Sequence, residues 1–299
     1  MAKARVIIKR RKAVRNIKKI TKVMQMIATS RYQKAYRRAV GTKPYVKKIG
    51  ELLASAVEAL RSTGSSIEHP LLQEPKVRGK HTAVLVLSSN RGLCGGFNGN
   101  VLRLANHTLK ELEAAGDTPK LSVSGKKGNA YFRFLKRDIK QAYTNLGDNP
   151  KFIEIEPLAD QFMQAYINGE ITALKIVYMR FLSAGLQKAT VMDVLPLSTL
   201  GGSEQLESAS KMTTTYEFLP SAEALLEELI PTTVKISIFQ AFIEAAVSEQ
   251  IARMVAMKAA TENADKIIKK LSMTYNRARQ SQITGEIMEV LGGVEALKG

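Results

Sequence analysis

Both ends of the chain carry apolar residues that recur at alternating intervals of four and three. Near the N-terminus these residues are Ala13, Ile17, Ile20, Met24 and Ile27. Near the C-terminus they are Ala264, Ile268, Leu271, Tyr275 and Ala278. Such spacing is typical of a helix that packs one face against another helix. Neither helix can bury its stripe alone, so we expect the two to pair, and to run antiparallel because the chain leaves along one and returns along the other.

The prolines support long terminal helices. Residues 1–43 contain no proline, and none follows Pro231. Pro44 could bend the first helix, but the same apolar pattern resumes after it. The predicted helices are far longer than a compact domain requires, at ~60 Å for the first and ~90 Å for the second.

Between the two ends the apolar pattern changes period. Residues 82–89 form a continuous apolar run with β-branched residues, which predicts a buried strand. Further strands are predicted at 120–125, 139–146, 173–183 and 188–197, the last as the antiparallel partner of the strand before it. Helices are predicted between them, including 99–115 and 157–168. Strands that alternate with helices predict an α/β domain with a mostly parallel sheet. We expect an N-terminal helix over 1–61, the α/β domain over 62–205 and a C-terminal helix over 206–299.

The positive charge is concentrated at the N-terminus. Seventeen of the 45 Lys and Arg residues stand in the first fifty positions, and the first acidic residue is Glu51. The rest of the chain has 28 basic residues against 27 acidic ones, so it is nearly neutral. A solvated helix face normally mixes both signs, and this one-signed segment indicates an acidic protein partner or a nucleic acid. A basic helix binds duplex DNA readily, but here the heptad stripe runs through the charged segment, which disfavours a DNA-reading helix.

The sequence holds two glycine-rich turns that invite a nucleotide-binding interpretation. The turn at 90–100 follows a strand and opens a helix, but its glycines do not match the dinucleotide-binding pattern. The turn at 124–132 has two lysines but lacks the hydroxyl that a phosphate loop places on Mg²⁺. Both positions remain open to phosphate binding, although an ordinary strand-to-helix turn explains each. We therefore expect no cofactor and no catalytic residue.

The histidine and cysteine residues of the sequence do not indicate a metal site or a disulfide bond. The three histidines, at 69, 81 and 107, have no metal-ligand spacing, and Cys94 is the only cysteine. A single thiol fits a reducing compartment such as the bacterial cytoplasm. No run of eighteen or more apolar residues is present, so we expect no membrane-spanning helix.

Three blocks together resemble the gamma subunit of F-type ATP synthases. They are NIKKITKVMQMIATSRYQKA at 16–35, SSNRGLCGGFN at 88–98, and SEQIARMVAMKAATENA at 248–264, which runs into YNRARQSQITGEIMEVLGG at 275–293. Asn90 stands where the family usually has Asp, Val23 replaces Ala, and Ile17 replaces a polar residue. The blocks follow the family's order, so the resemblance covers the whole chain.

The resemblance implies an architecture, a role and a set of partners. The fold would be a Rossmann-like α/β domain inserted between two long terminal helices that form an antiparallel coiled coil. The chain would be the non-catalytic central rotor shaft within a hexamer of alpha and beta subunits. Its base would rest on the membrane ring of c subunits beside the epsilon subunit, on the cytoplasmic side of a bacterial cell membrane. One copy per complex would couple H⁺ or Na⁺ flow to ATP synthesis or hydrolysis.

The resemblance also implies contact residues. Those expected to meet the alpha/beta hexamer are Lys18, Lys19, Lys22, Met24, Arg31, Arg277, Arg279 and Gln280. Tyr216 and Glu217 would lie at the foot that meets the c-ring and epsilon. Met24 fits the helix–helix stripe equally well, and that reading stays open.

Overall fold

The computed structural model describes residues 2–62, 69–72, 80–197 and 221–296. A long helix lies towards each end, as predicted: α1 spans Ala2–Ser62, and the C-terminal helix spans Ala222–Ala296. The first continues through Pro44 and the second through Pro231. At ~1.5 Å per residue they extend over roughly 90 Å and 110 Å of helix.

Five strands and three shorter helices lie between them. The strands are β1 (Thr82–Leu87), β2 (Lys120–Ser124), β3 (Gln141–Tyr143), β4 (Ala173–Ser183) and β5 (Leu186–Leu195). The helices are α2 (Phe97–Ala114), α3 (Lys126–Phe134) and α4 (Phe152–Ile167), so the C-terminal helix is α5.

The strands form one mixed sheet in the order β3-β2-β1-β4-β5. Strands β1 to β4 are parallel to their neighbours, and β5 returns antiparallel to β4 after a tight hairpin. The predicted mostly parallel sheet with an antiparallel last strand is confirmed. The parallel strands need helical crossovers, which α2, α3 and α4 provide.

Both faces of the sheet are covered, which explains the continuous apolar run of β1. Its six residues are all buried, alternating between two cores. On one face, Val84 and Val86 pack with α2 and with Phe132 of α3. On the other, Leu85 and Leu87 pack with α4 and with α5 residues such as Ile230 and Ile238. A strand buried on both sides has no polar face to alternate with.

The chain divides into two compact units. The first, here called the helix pair, comprises Met1–Ser30 and Arg253–Gly299. The second, called the sheet unit, comprises Arg31–Ala252. This division cuts through both long helices because the later part of α1 and the earlier part of α5 pack on the sheet. The predicted domain boundaries at 61/62 and 205/206 stay a prediction, and the second lies outside the described residues.

An 18-residue window within Glu223–Val294 of α5 is apolar enough to cross a membrane by composition. More than half of that window is buried inside the protein. A core helix of a soluble protein passes the same test, and its residues near 230–247 do form a core with the sheet. Burial against the sheet therefore accounts for the apolar character of this helix.

The two glycine-rich turns lock together at the carboxyl ends of β1 and β2. The first three backbone N–H groups of α3 donate to acceptors of the first turn: Lys126 to Asn90 Oδ1, Lys127 to the Ser89 carbonyl, and Gly128 to Ser88 Oγ, at 2.8–3.1 Å. Gly125 has φ +95°, and a Cβ there would lie 2.1 Å from the Ser88 carbonyl oxygen. The glycines thus serve a close approach of backbone to backbone, and the donors that a phosphate would use are engaged within the protein.

The contacts of the Asn90 side chain show why an amide stands at this position, where the family usually has Asp. Its Nδ2 donates to the Leu146 carbonyl at 2.7 Å, while its Oδ1 accepts from Lys126. A carboxylate could accept but could not donate. The amide therefore joins the first turn to both α3 and the loop after β3.

A buried tyrosine marks the place where α5 crosses the sheet. Tyr178 of β4 is 4% exposed. Burial, followed by the nearby Glu244 carboxylate of α5, raises the pKa of Tyr178 above its ordinary value, while Arg180 opposes the shift. In the unfolded chain the same phenol would ionise near its ordinary pKa of about 10.

This difference predicts an alkaline loss of stability. Above about pH 10 the unfolded chain releases the Tyr178 proton while the folded chain keeps it, so the free energy of unfolding falls as pH rises. One such proton contributes up to about 1.4 kcal/mol per pH unit. Tyr178→Phe should flatten that slope in urea titrations between about pH 9 and pH 11. Identical slopes for the two proteins would contradict the assignment.

Candidate functional site

The helix pair is held by side-chain contacts that fix its direction and register. Arg11 Nη1 donates to Ser272 Oγ at 3.5 Å, and its guanidinium lies 5.3 Å from the centroid of the Tyr275 ring. Lys18 forms an ion pair with Asp265 at 2.5 Å, and the hydroxyls of Thr21 and Thr261 meet at 2.9 Å. As the residue number rises along α1 it falls along α5. The two helices are therefore antiparallel, as predicted.

The face of α1 that meets α5 is not the predicted one. The least exposed positions include Val14, Lys18, Thr21, Gln25 and Ala28, with Thr21 8% and Ala28 0% exposed. The predicted seam residues Ile17, Ile20 and Ile27 are 53%, 59% and 48% exposed, so their assignment to the seam is wrong. The true contact face follows the same spacing one residue later, a rotation of about 100° around the helix.

The reason lies in the partner residues on α5. Thr261 and Asp265 offer a hydroxyl and a carboxylate, which Thr21 and Lys18 match. Ala28 lets the helix backbones approach closely. With isoleucines on this face, the Thr21–Thr261 hydroxyl contact and the Lys18–Asp265 ion pair would both be lost. The complementary polar residues at heptad spacing were the sequence signal that could have located this face.

The displaced isoleucines instead form an exposed apolar stripe, defined by Ile17, Ile20, Val23 and Ile27. All four are 48–59% exposed. Their spacing of three, three and four places them on one side of α1, next to the contact face. A contiguous apolar surface of this kind marks an interaction site more often than an isolated exposed side chain does.

A basic band lies on the remaining surface of α1. Residues 1–30 contain ten Lys and Arg and no acidic residue. The whole helix pair carries eighteen basic residues against five acidic ones. Lys19 and Lys22 are exposed. The helix pair thus presents apolar and cationic surface side by side.

The other predicted contact residues of α1 are placed differently. Lys18 is engaged with Asp265, and Met24 is half-buried. Arg31 belongs to the sheet unit, where it pairs with Asp148 of the loop after β3 at 2.5 Å. Their contact with a partner stays a prediction.

On α5 the predicted seam positions Ala264, Ile268, Leu271, Tyr275 and Ala278 are buried or half-buried. Arg277, Arg279 and Gln280 are exposed. Because Arg11 lies beside Ser272, Ala2 lies near about residue 281, and α5 continues past that point. The continuing segment, the apolar tip, exposes residues that are 43–66% accessible: Ile283, Ile287, Met288, Val290, Leu291 and Val294.

Other candidate sites receive less support. Cys94 is buried, and its sulfur accepts a hydrogen bond from Asn98 Nδ2 at 3.2 Å. Within the described residues, no three His, Cys, Asp or Glu side chains are grouped so that they could hold a metal. Tyr216 and Glu217 lie outside the described residues.

Neighbouring residues of α1 allow a direct test of the corrected contact face. Ala28→Asp would bury a charge against α5 and should lower the free energy of unfolding by roughly 3 kcal/mol or more. Ile27→Asp changes an exposed side chain and should cost about 0.5 kcal/mol. Thermal and urea unfolding of the purified chain, followed by circular dichroism, measure both. Equal effects of the two substitutions would contradict the corrected face.

Sequence comparison extends the resemblance over the chain. The profile described as ATP synthase matches residues 3–297. The ATP synthase gamma chain of Rhodopirellula baltica is 46% identical over 301 residues, covering all of both chains. That of Saccharopolyspora erythraea is 38% identical over 311 residues, covering 99% of this chain and 98% of the relative.

Solved structures show the same fold. A chain of the Euglena gracilis mitochondrial ATP synthase, in a structure of OSCP, F1 and the c-ring, superposes with a TM-score of 0.67 at 18% identity and covers 99% of this chain and 95% of its own length. A chain of the Tetrahymena thermophila central stalk and c-ring superposes with a TM-score of 0.58 at 22% identity, over 81% of this chain and 99% of its own. With full-length sequence identity of this order and the paired-helix fold in place, the chain belongs to the ATP synthase gamma chain family.

Proposed function

We propose that this chain is the central rotor shaft of an F-type ATP synthase. In this role the helix pair turns inside the alpha/beta hexamer and carries torque between that hexamer and the membrane c-ring. The chain binds no nucleotide itself and performs no catalysis. Family membership supports the role, as does the placement of the structural relatives within F1, central stalk and c-ring assemblies.

The observation that carries the proposal is the surface left over once α1 and α5 have paired. Ile17, Ile20, Val23 and Ile27 remain exposed beside Lys19, Lys22 and the other basic residues. A monomeric soluble protein rarely leaves such a stripe uncovered. An enclosing sleeve with apolar side chains and acidic loops would complement both features.

The apolar tip extends the same argument along α5. Its residues are exposed on more than one side of the helix, and opposite them the described part of α1 offers no partner. Glu286 and Glu289 occupy the remaining side, so the apolar residues form a broad stripe that favours an apolar environment on its own side. The innermost part of the hexamer would provide that environment and act as a bearing for the tip.

The division between polar and apolar contact suits rotation. Exposed ion pairs contribute only about 0–1 kcal/mol each, so Lys19, Lys22, Arg277 and Arg279 can exchange acidic partners without a deep energy minimum. Stiffness comes from the contact between α1 and α5, where the Thr21–Thr261 hydroxyl pair is buried. The residues that would slide past the hexamer are therefore different from the residues that hold α1 and α5 together.

The sheet unit would lie beside epsilon and on the c-ring, with Tyr216 and Glu217 at the foot. The complex would place this chain at the cytoplasmic face of the bacterial cell membrane, held there only through the c-ring. Lys18, Arg31, Arg277, Arg279 and Gln280 would contribute to contact with the hexamer, Lys18 and Arg31 by exchanging their present partners.

Assembly tests the exposed stripe. Ile17→Asp with Ile20→Asp should weaken co-purification with the alpha and beta subunits when the three chains are expressed together. The reason is that two exposed apolar contacts are lost and acidic charge enters a surface that faces acidic loops. The circular dichroism and melting temperature of the isolated variant should stay close to those of the unaltered chain.

The matched control is Val255→Asp, which alters an exposed residue of α5, 55% accessible, outside the stripe. Its effect on assembly should be smaller. Retention of full assembly and ATP-driven ion pumping by the double variant would reject the stripe as a hexamer contact. Failure of the unaltered chain to assemble with alpha and beta would reject the shaft itself.

A further inference from the structure

Both long helices must be held firmly against the sheet if torque is to pass between the helices and the sheet. Much of the interface that holds them is apolar. Its buried residues are Ala35 and Ala39 of α1, Ile243, Val247 and Ile251 of α5, and Phe181 of β4. Contacts among small aliphatic side chains resist separation, but they are non-directional. An interface built from them alone tolerates rotation or sliding of a helix in its groove.

A chain of polar contacts crosses the same interface. Thr42 of α1 donates to Gln240 Oε1 of α5 at 3.2 Å, and Gln240 Nε2 donates to Glu244 Oε1 at 3.1 Å. Glu244 lies beside the Tyr178 phenol of β4. The second carboxylate oxygen of Glu244 is buried and accepts no hydrogen bond from the described residues. These four side chains, here called the polar key, link α1, α5 and the sheet in sequence.

Two contacts reinforce the polar key at the next residues of β4. Ser248, one helical turn after Glu244, is fully buried and donates to the Met179 carbonyl at 3.1 Å. Tyr36 of α1 meets the edge of Phe181, with ring centroids 5.9 Å apart. One short stretch of β4, residues 178–181, therefore contacts both long helices.

The polar contacts depend on the exact position of α5, whereas the apolar contacts do not. Shifting α5 by one residue moves each side chain about 1.5 Å along the axis and turns it about 100°. Aliphatic residues could find new neighbours after such a shift. Gln240 Oε1 would lose its bond from Thr42 and the Ser248 hydroxyl would lose the Met179 carbonyl, whereas the Gln240–Glu244 bond lies within α5 and would move with the helix. A polar group left without a partner away from water is strongly unfavourable. A polar group at a helix contact specifies register in this way.

We propose that the polar key formed by Thr42, Gln240, Glu244 and Tyr178 fixes the angular position of both helices on the sheet and prevents their slip under load. The inference rests on the proposed rotor function and goes beyond it by assigning a torque-holding contact to named residues. They are positioning residues, since none of them meets a nucleotide. Their role is clearest when the shaft works against an opposing ion gradient, because the torque on the interface then rises with the gradient.

The test replaces the whole polar key by apolar side chains of similar size: Thr42→Val, Gln240→Met, Glu244→Met and Tyr178→Phe in one chain. Removing all the polar partners together leaves no member of the key unpaired, so the variant should fold and keep its melting temperature. The variant is assembled with the alpha, beta, epsilon and membrane subunits in vesicles. ATP hydrolysis and ion pumping are then measured together while the opposing gradient is raised.

The expected result is a loss of ions pumped per ATP that grows with the gradient, with hydrolysis retained. Ile243→Val is the matched control, because it weakens apolar packing in the same interface without touching a polar group; it should keep the original ratio. An unchanged ratio in the quadruple variant at every gradient would overturn the polar key.

A fallback variant keeps the test decisive. Should the quadruple variant melt below Ile243→Val, the comparison is made with Thr42→Val, which removes only the donor from α1 to Gln240; a load-dependent loss supports the inference, and its absence overturns it. Failure of the proposed function has a different signature. In that case the unaltered chain would not assemble or would not pump.

Discussion

The contact between α1 and α5 determines which side chains of the helix pair are left exposed to a partner. It uses a narrow face on which Lys18 meets Asp265, Thr21 meets Thr261 and Ala28 is fully buried. Because this face is small and partly polar, it consumes little of the apolar surface of α1. The remaining isoleucines are therefore available to a partner, and the helix pair has one face that holds it together and another that can be covered.

The N-terminal segment shows why the contact face was hard to locate from the sequence. Two sets of positions with the same heptad spacing run along α1, one through Ile17 and Ile20 and the other through Lys18 and Thr21. Hydrophobicity alone selects the first, and the structure places the second against α5. On α5 only one set was apolar enough to consider, and its positions are buried or half-buried. When a helix has one apolar stripe, its sequence alone identifies the contact face. When it has two candidate faces, the choice between them depends on the residues of the facing helix.

The central domain was predicted more fully because its pattern has fewer alternatives. A strand buried on both faces, as β1 is, gives a continuous apolar run, and strands alternating with helices restrict the topology to a parallel sheet. The glycine-rich turns were ambiguous in sequence, since phosphate loops and tight structural turns use the same residues. The structural role of these turns depends on contacts between residues far apart in the chain. Ser88, Ser89 and Asn90 accept hydrogen bonds from the first N–H groups of α3, which begins some thirty-six residues later. The polar key was invisible for a similar reason, as Thr42, Tyr178 and Gln240 are far apart in the chain and ordinary in their local contexts.

Rotation of the chain within its complex can be observed with a single attached probe. Cys94 is buried, so an exposed cysteine introduced by Lys110→Cys on α2 would carry a single probe on the sheet unit. With the alpha/beta hexamer fixed to a surface, we expect the probe to turn in one direction while ATP is hydrolysed and to stop when ATP is removed. Sustained hydrolysis by a complex that contains this chain, with the probe stationary, would reject the role of the chain as a rotor shaft.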